Sequence, residues 1–141
     1  WTPGILHGDC HLANMMFSYD GPEVAAMVDW EMSTIGDPLL DLGWQIATRP
    51  EPGTTGAALI GKLGAVGGLP TPEEMVEHYG KFSDRDLSNV TWYTVLACFK
   101  LGIVLEGTHA RAFAGKAPEQ VGDFLHAITL ELFERAHRLM E

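Results

Sequence analysis

Residues 7 to 14 of this 141-residue chain read HGDCHLAN, and residues 28 to 31 read VDWE. Asp9, Asn14 and Asp29 are oxygen-bearing side chains at fixed spacing, and each type has a definite use. A carboxylate within hydrogen-bond reach of a substrate hydroxyl can take its proton. In phosphoryl transfer a protein mainly positions reactants and neutralises charge, and one recurring solution uses a loop Asp, an Asn five residues later and a metal-binding Asp, a spacing that Asp9, Asn14 and Asp29 match. A second chemistry is open to the same stretch. His7, Asp9 and His11 alternate, so on an extended strand they could face one metal and serve a hydrolase. That alternative leaves Asn14 and VDWE without a role.

The elements that must carry these residues can be read from pattern. MMFSYD and EVAAMVDW are apolar runs separated by the turn chemistry of DGPE, which predicts a β-hairpin around Asp20 and Gly21 with the polar motifs on its flanks. From Asp37 the period changes. DPLLDLGWQIA places Asp at an N-cap, Pro at the first helical position and apolar residues at helical spacing, so a helix starts there and stops before Pro50 and Pro52. The Gly-rich stretch from Gly53 to Gly68 reads as a connector or a weak helix around AALIGKLGAV. TPEEMVEHYGKF predicts a helix of about three turns, capped by Thr71, with Glu73 and Glu74 favourably placed against its dipole. DLSNVTWYTVLACFKLGIVLEGTHARAF is apolar nearly all round, the mark of a helix buried centrally. Val121, Phe124, Leu125, Ile128, Leu132, Ala136 and Leu139 form the stripe of a last helix, with Glu131–Arg135 and Glu134–Arg138 as i,i+4 pairs outside. Trp30, Trp44 and Trp92 read as packing residues, and His78, His109, His126 and His137 as scattered positions without ligand spacing.

Composition bounds the rest. Apolar residues make up 46% and charged residues 20%, an ordinary globular balance in a chain of one domain's length. Nineteen acidic residues against nine Lys and Arg give a net charge of -10, which disfavours nucleic acid and anionic membrane as partners. No apolar run approaches the roughly eighteen residues that a membrane span needs. Cys10 and Cys98 lie too far apart for a zinc spacing and make no disulfide framework, which points to free thiols and a cytoplasmic location.

The loop has the spacing of the protein-kinase pattern His-Arg-Asp-x-x-x-x-Asn, with Gly8 in place of Arg; Asp29 is followed by Trp30 and Glu31 where protein kinases have Phe-Gly. HGDCHLAN, VDWE and the following GDPLLDL together resemble the aminoglycoside phosphotransferase and choline kinase-like superfamily, strongly over residues 4 to 44. CFKLGIVLEGTHARAFAG is similar to a helix of members related to the kinase-like part of acyl-CoA dehydrogenase fusion proteins. The resemblance implies an α+β, mainly α fold in which residues 1–141 form a protein kinase-like C-terminal lobe: a small β-hairpin with the catalytic loop, then a helical body. It implies Asp9 as catalytic base, Asn14 and Asp29 as Mg²⁺ ligands, and His7, His11, Glu31 and Asp41 in support. The donor would be ATP or another nucleoside triphosphate, and the acceptor a hydroxyl of a small molecule. A nucleotide-binding lobe is expected before Trp1, without which the piece would have little activity. A kinase-like scaffold repurposed as a non-catalytic binding module is the other reading.

Overall fold

The computed structural model describes residues 2–49, 51, 53–56 and 67–141; the weak helix considered around residues 57–66 lies outside them. The hairpin forms where DGPE places it. Strands β2 (Met15–Phe17) and β3 (Val24–Met27) pair antiparallel, Met15 opposite Met27 and Met16 opposite Ala26, with an irregularity at Phe17 that shifts its partner to Val24. A second antiparallel pair, not foreseen from pattern, joins β1 (Gly4–Leu6) to β4 (Thr34–Gly36), with Ile5 opposite Ile35. This pairing brings the chain before the HGDCHLAN loop back alongside the chain after VDWE. Leu12–Asn14 and Trp30–Met32 are single 3₁₀ turns, so both motifs lie on irregular backbone held between short strands.

Four helices follow among the described residues: α1 (Leu39–Ala47), α2 (Pro72–Gly80), α3 (Val90–Phe113) and α4 (Glu119–Arg138). The start of α1 follows the Asp-Pro signal, since the Asp37 carboxylate accepts from the Leu39 amide at 3.1 Å and Pro38 leads into the first turn. Thr71 and Glu74 form a reciprocal capping box at α2, and Pro72 opens the helix. The core sits where α1 and α4 pack on α3: Trp44, Ala97, Cys98, Ile128 and Leu132 are buried together. Burying each large apolar side chain stabilises the fold by roughly 1.5–3 kcal/mol. Gly43 sets the α1–α3 approach, because a Cβ there would stand 2.6 Å from the Tyr93 backbone. A second cluster around Leu39, Leu42, Ile46 and Val90 seats α2 through Met75, Val76 and Tyr79.

Three expectations need correction. The long helix is real, and it is long and apolar enough by length and composition to cross a membrane, but it is not buried all round. Trp92, Phe99, Ile103 and Val104 are exposed. Two packed neighbours cover two sides of a cylinder, and an apolar period cannot tell which sides. On α4, neither i,i+4 ion pair forms. Arg135 instead donates to the carbonyls of Ala47 (3.1 Å) and Arg49 (3.0 Å) and meets Glu51 at 3.2 Å, while Arg138 also reaches Glu51, at 2.8 Å. Glu131 accepts from the amides of Thr55 (2.6 Å) and Gly56 (3.0 Å). Carbonyls at the end of α1 and amides just beyond it lack helical partners, and satisfying them outweighs an exposed i,i+4 pair, worth only about 0.3–0.5 kcal/mol. The predicted stripe holds in its middle, but Val121 and Leu139 at its ends are exposed.

Candidate active site

One face of α1 holds the loop from His7 to Cys10. Asp41 stands in the first turn, and its two carboxylate oxygens accept from the backbone amides of His7 (2.7 Å) and Gly8 (2.9 Å). One turn on, at i+3, the indole of Trp44 donates to Asp9 Oδ1 at 3.1 Å. At i+4, the Gln45 amide meets the Cys10 sulfur at 3.0 Å. Residues three and four apart share a helix face, so successive loop residues are read by successive positions of one face. Gly8 is required by the turn: its φ is +84°, and a Cβ would lie 2.3 Å from the Met32 carbonyl oxygen.

His7 is almost wholly buried, and both ring nitrogens are committed. Nε2 donates to the Val28 carbonyl at 2.9 Å, Nδ1 accepts from the Asp9 amide at 3.3 Å, and the ring packs on Trp30 with centroids 4.6 Å apart. His7 therefore ties the HGDCHLAN loop to VDWE. Val28 is also held from the other side, its amide donating to the Asn14 carbonyl at 3.0 Å. The Asn14 side-chain amide donates to Asp9 twice, to the backbone oxygen at 3.0 Å and to Oδ2 at 3.1 Å. Its Oδ1 makes no hydrogen bond among the described residues. His11 caps the 3₁₀ turn through the Ala13 amide and sets Nε2 3.3 Å from Asp9 Oδ1.

Asp29 has φ 66° and ψ 56°, the one described non-glycine residue in the left-handed region. Asp is among the side chains that tolerate this conformation. The bend exposes its carboxylate, which makes no hydrogen bond to any described residue. Glu31 is likewise exposed, with no ion pair among the described residues. Asp37 is a junction rather than a free ligand, accepting from the Tyr93 hydroxyl at 2.7 Å and lying 3.6 Å from Arg85.

Two contributors escaped the sequence reading. Trp44 is core, as read, but its indole N–H reaches the Asp9 carboxylate; its i+3 spacing from Asp41 was the available signal. Lys100 of α3 donates to the Gly8 carbonyl at 3.0 Å and lies 4.8 Å from the centre of the Trp44 ring. As a lone lysine in an apolar helix, it was a polar exception at core spacing. Burial pushes the Cys10 thiol above its usual value, with Asp41 and Asp9 adding to the rise against the Gln45 hydrogen bond, so it is a poor nucleophile.

A buried loop bearing Asp, with an Asn folded onto it and a second, outward-facing Asp beside them, is set in an α+β, mainly helical, kinase-like fold. The sequence profile described as the Phosphotransferase enzyme family matches residues 1–80, and the chain belongs to that family. A crystal structure described as "a putative aminoglycoside phosphotransferase" from Ralstonia eutropha superposes with a TM-score of 0.77 at 26% identity, over 96% of this chain and 43% of that one. Curated relatives include acyl-CoA dehydrogenase family member 10 of Mus musculus, 27% identical over 94% of this chain. Another is acyl-CoA dehydrogenase family member 11 of Homo sapiens, 31% identical over 79% of it. The chain spans only 13% and 14% of those two relatives.

Proposed function

We propose that this chain is the catalytic-loop lobe of an enzyme that transfers the γ-phosphoryl group of ATP, or another nucleoside triphosphate, to a hydroxyl of a small molecule. The observation that carries the reading is the Asp9–Asn14–Val28 linkage: Asn14 binds the Asp9 carboxylate with its amide nitrogen and the residue before Asp29 with its backbone oxygen. The donor set fits Mg²⁺, because Asn14 Oδ1 and the Asp29 carboxylate are oxygen-donor groups with no hydrogen-bond partner among the described residues, on adjacent backbone. Mg²⁺ held there would neutralise charge on the nucleotide phosphates.

The chain's own residues supply aim and proton transfer. Asp9 accepts the proton of the attacking hydroxyl, and Trp44 and Asn14 fix its two oxygens so that it faces the acceptor. His7 and Asp41 hold the backbone on either side of that carboxylate. His11 lies beside Asp9 and limits its rotation. Glu31 stands next to Asp29 on the exposed side, where it can orient water around the metal ligands. A nucleotide-binding lobe of the same enzyme would cover the phosphates, and the cytoplasm, with ample ATP and reduced thiols, suits the reaction.

The hydrolase alternative loses its ligand set, since both nitrogens of His7 are spent on Val28 and Asp9. The binding-module alternative is met by the same test as the kinase reading. Full-length enzyme is screened for nucleotide consumption against a panel of small hydroxyl compounds. A hit should fall by about 10²–10⁴-fold in Asp9→Asn, and in Asp29→Ala turnover should fall and need more Mg²⁺ for half-saturation. Turnover undiminished in Asp9→Asn would remove Asp9 from this role, and no hit across the panel would favour a binding module.

A further inference from the structure

A second polar cluster joins α3 to α4, six residues beyond Lys100 and so about 9 Å further along the α3 axis. Each helix contributes a carboxylate and a histidine three positions apart: Glu106 and His109 in EGTH, Asp123 and His126 in DFLH. The two units face one another crosswise. His126 Nδ1 lies 2.8 Å from Glu106 Oε2, and His109 Nε2 lies 3.9 Å from Asp123 Oδ1. His109 Nδ1 meets the other oxygen of Glu106 at 2.9 Å, so one carboxylate is shared by two imidazoles. The rings stack with centroids 4.3 Å apart and planes 26° apart. Ligand atoms of Glu106, His109 and His126 all lie within 4.8 Å of one another.

The backbone beneath the cluster is set close. A Cβ at Gly122 would lie 2.4 Å from that of Ala112, so the helices touch one turn from the histidines. Side chains on two firmly packed helices are held more precisely than side chains on loops. Two imidazoles and a carboxylate are a donor set for a transition metal such as Zn²⁺, whereas Mg²⁺ takes oxygen ligands.

We propose that Glu106, His109 and His126 form a binding site for a divalent transition metal, Zn²⁺ first among them, that fastens α3 to α4 independently of the Asn14–Asp29 pair. Each imidazole gives its Nδ1 lone pair to the metal and keeps its proton on Nε2. Asp123 then faces the Nε2–H of His109, the position from which a carboxylate orients a metal-bound imidazole. The open fourth position takes water. The metal bridges the helix that carries Lys100 to the last helix and stiffens the hairpin they form.

The test uses the full-length enzyme, stripped with chelator and kept in excess Mg²⁺, titrated with Zn²⁺ by calorimetry. One equivalent should bind at the α3–α4 site and persist in Asp29→Ala and in His137→Ala, a histidine elsewhere on α4. His109→Ala and His126→Ala should each weaken binding by at least about tenfold, and the double variant should abolish it. Saturating Zn²⁺ should raise the Tm by about 5–10 °C in the parent and not in the double variant. His109→Asn and His126→Asn repeat the measurement with smaller changes in shape. In the unmodified protein, Zn²⁺ should also shield both histidines from diethylpyrocarbonate. Absence of stoichiometric binding, binding that survives the double substitution, binding lost with Asp29→Ala, or unshielded histidines would each overturn the proposal.

Discussion

Replacing Asp41 should damage both stability and turnover, and the size of each effect follows from what its carboxylate holds. Two charge-assisted bonds, at 2.7 and 2.9 Å, fix the amides of His7 and Gly8 in buried backbone. Hydrogen bonds to a charged group contribute roughly 1.5–3 kcal/mol each. Asp41→Ala removes both and strands two buried donors, so after partial entry of water the loss should be about 3–5 kcal/mol. Asp41→Asn keeps one acceptor oxygen and turns an NH₂ group toward the other amide, for about 2–3 kcal/mol. Asp9 follows Gly8 directly, and a shift of its carboxylate of about 1 Å should lower turnover on the order of 10²-fold. Urea unfolding of the full-length enzyme measures the first effect and single-turnover phosphoryl transfer the second. Asp41→Ala within about 1 kcal/mol of the parent and within about threefold in rate would refute the claim that α1 aims the loop.

Trp44→Phe keeps most of the core volume but deletes the donor to Asp9 Oδ1, so turnover should fall by roughly 10-fold or more, with a stability loss of about 1–2 kcal/mol; equal rates at reduced stability would make Trp44 a packing residue only. Gly8→Ala must force a side chain into a left-handed turn 2.3 Å from the Met32 oxygen, and a loss of about 2–4 kcal/mol in chemical denaturation is expected. Burial raises the Glu131 carboxyl, but the amides of Thr55 and Gly56 outweigh it and hold the group below its usual value. The stability it contributes is therefore present above the ordinary carboxylate range and lost as pH falls through the lowered folded value. Melting curves across that acid range should be flatter in Glu131→Gln, and an identical pH profile would disprove the anchoring.

What the sequence made legible was local. Asp-Pro and Thr-Pro marked the starts of α1 and α2, DGPE marked the hairpin, and the stripe from Phe124 to Ala136 marked the buried side of α4, because each signal acts within a few residues of itself. Asp9, Asn14 and Asp29 were singled out as candidates by spacing and by family resemblance together. Residues whose partners lie far along the chain stayed hidden. Arg135 binds carbonyls 86 and 88 positions away, Lys100 a carbonyl 92 away, and Trp44 a carboxylate 35 away. No short-range period encodes those distances. His109 and His126 were passed over for a similar reason: their spacing along the chain is unremarkable, and only the antiparallel turn between α3 and α4 brings the rings together.

Trp44 belongs at once to the apolar interior and to the Asp9 carboxylate, with Lys100 against its ring. Slack anywhere in the packing of α1 against α3 and α4 is therefore transmitted as a rotation of the carboxylate to which the proposed function gives the acceptor hydroxyl. Warming such a molecule should first blur the direction of its proton acceptor and only later melt its helices, so activity would decline at temperatures where its circular dichroism is still that of the native fold.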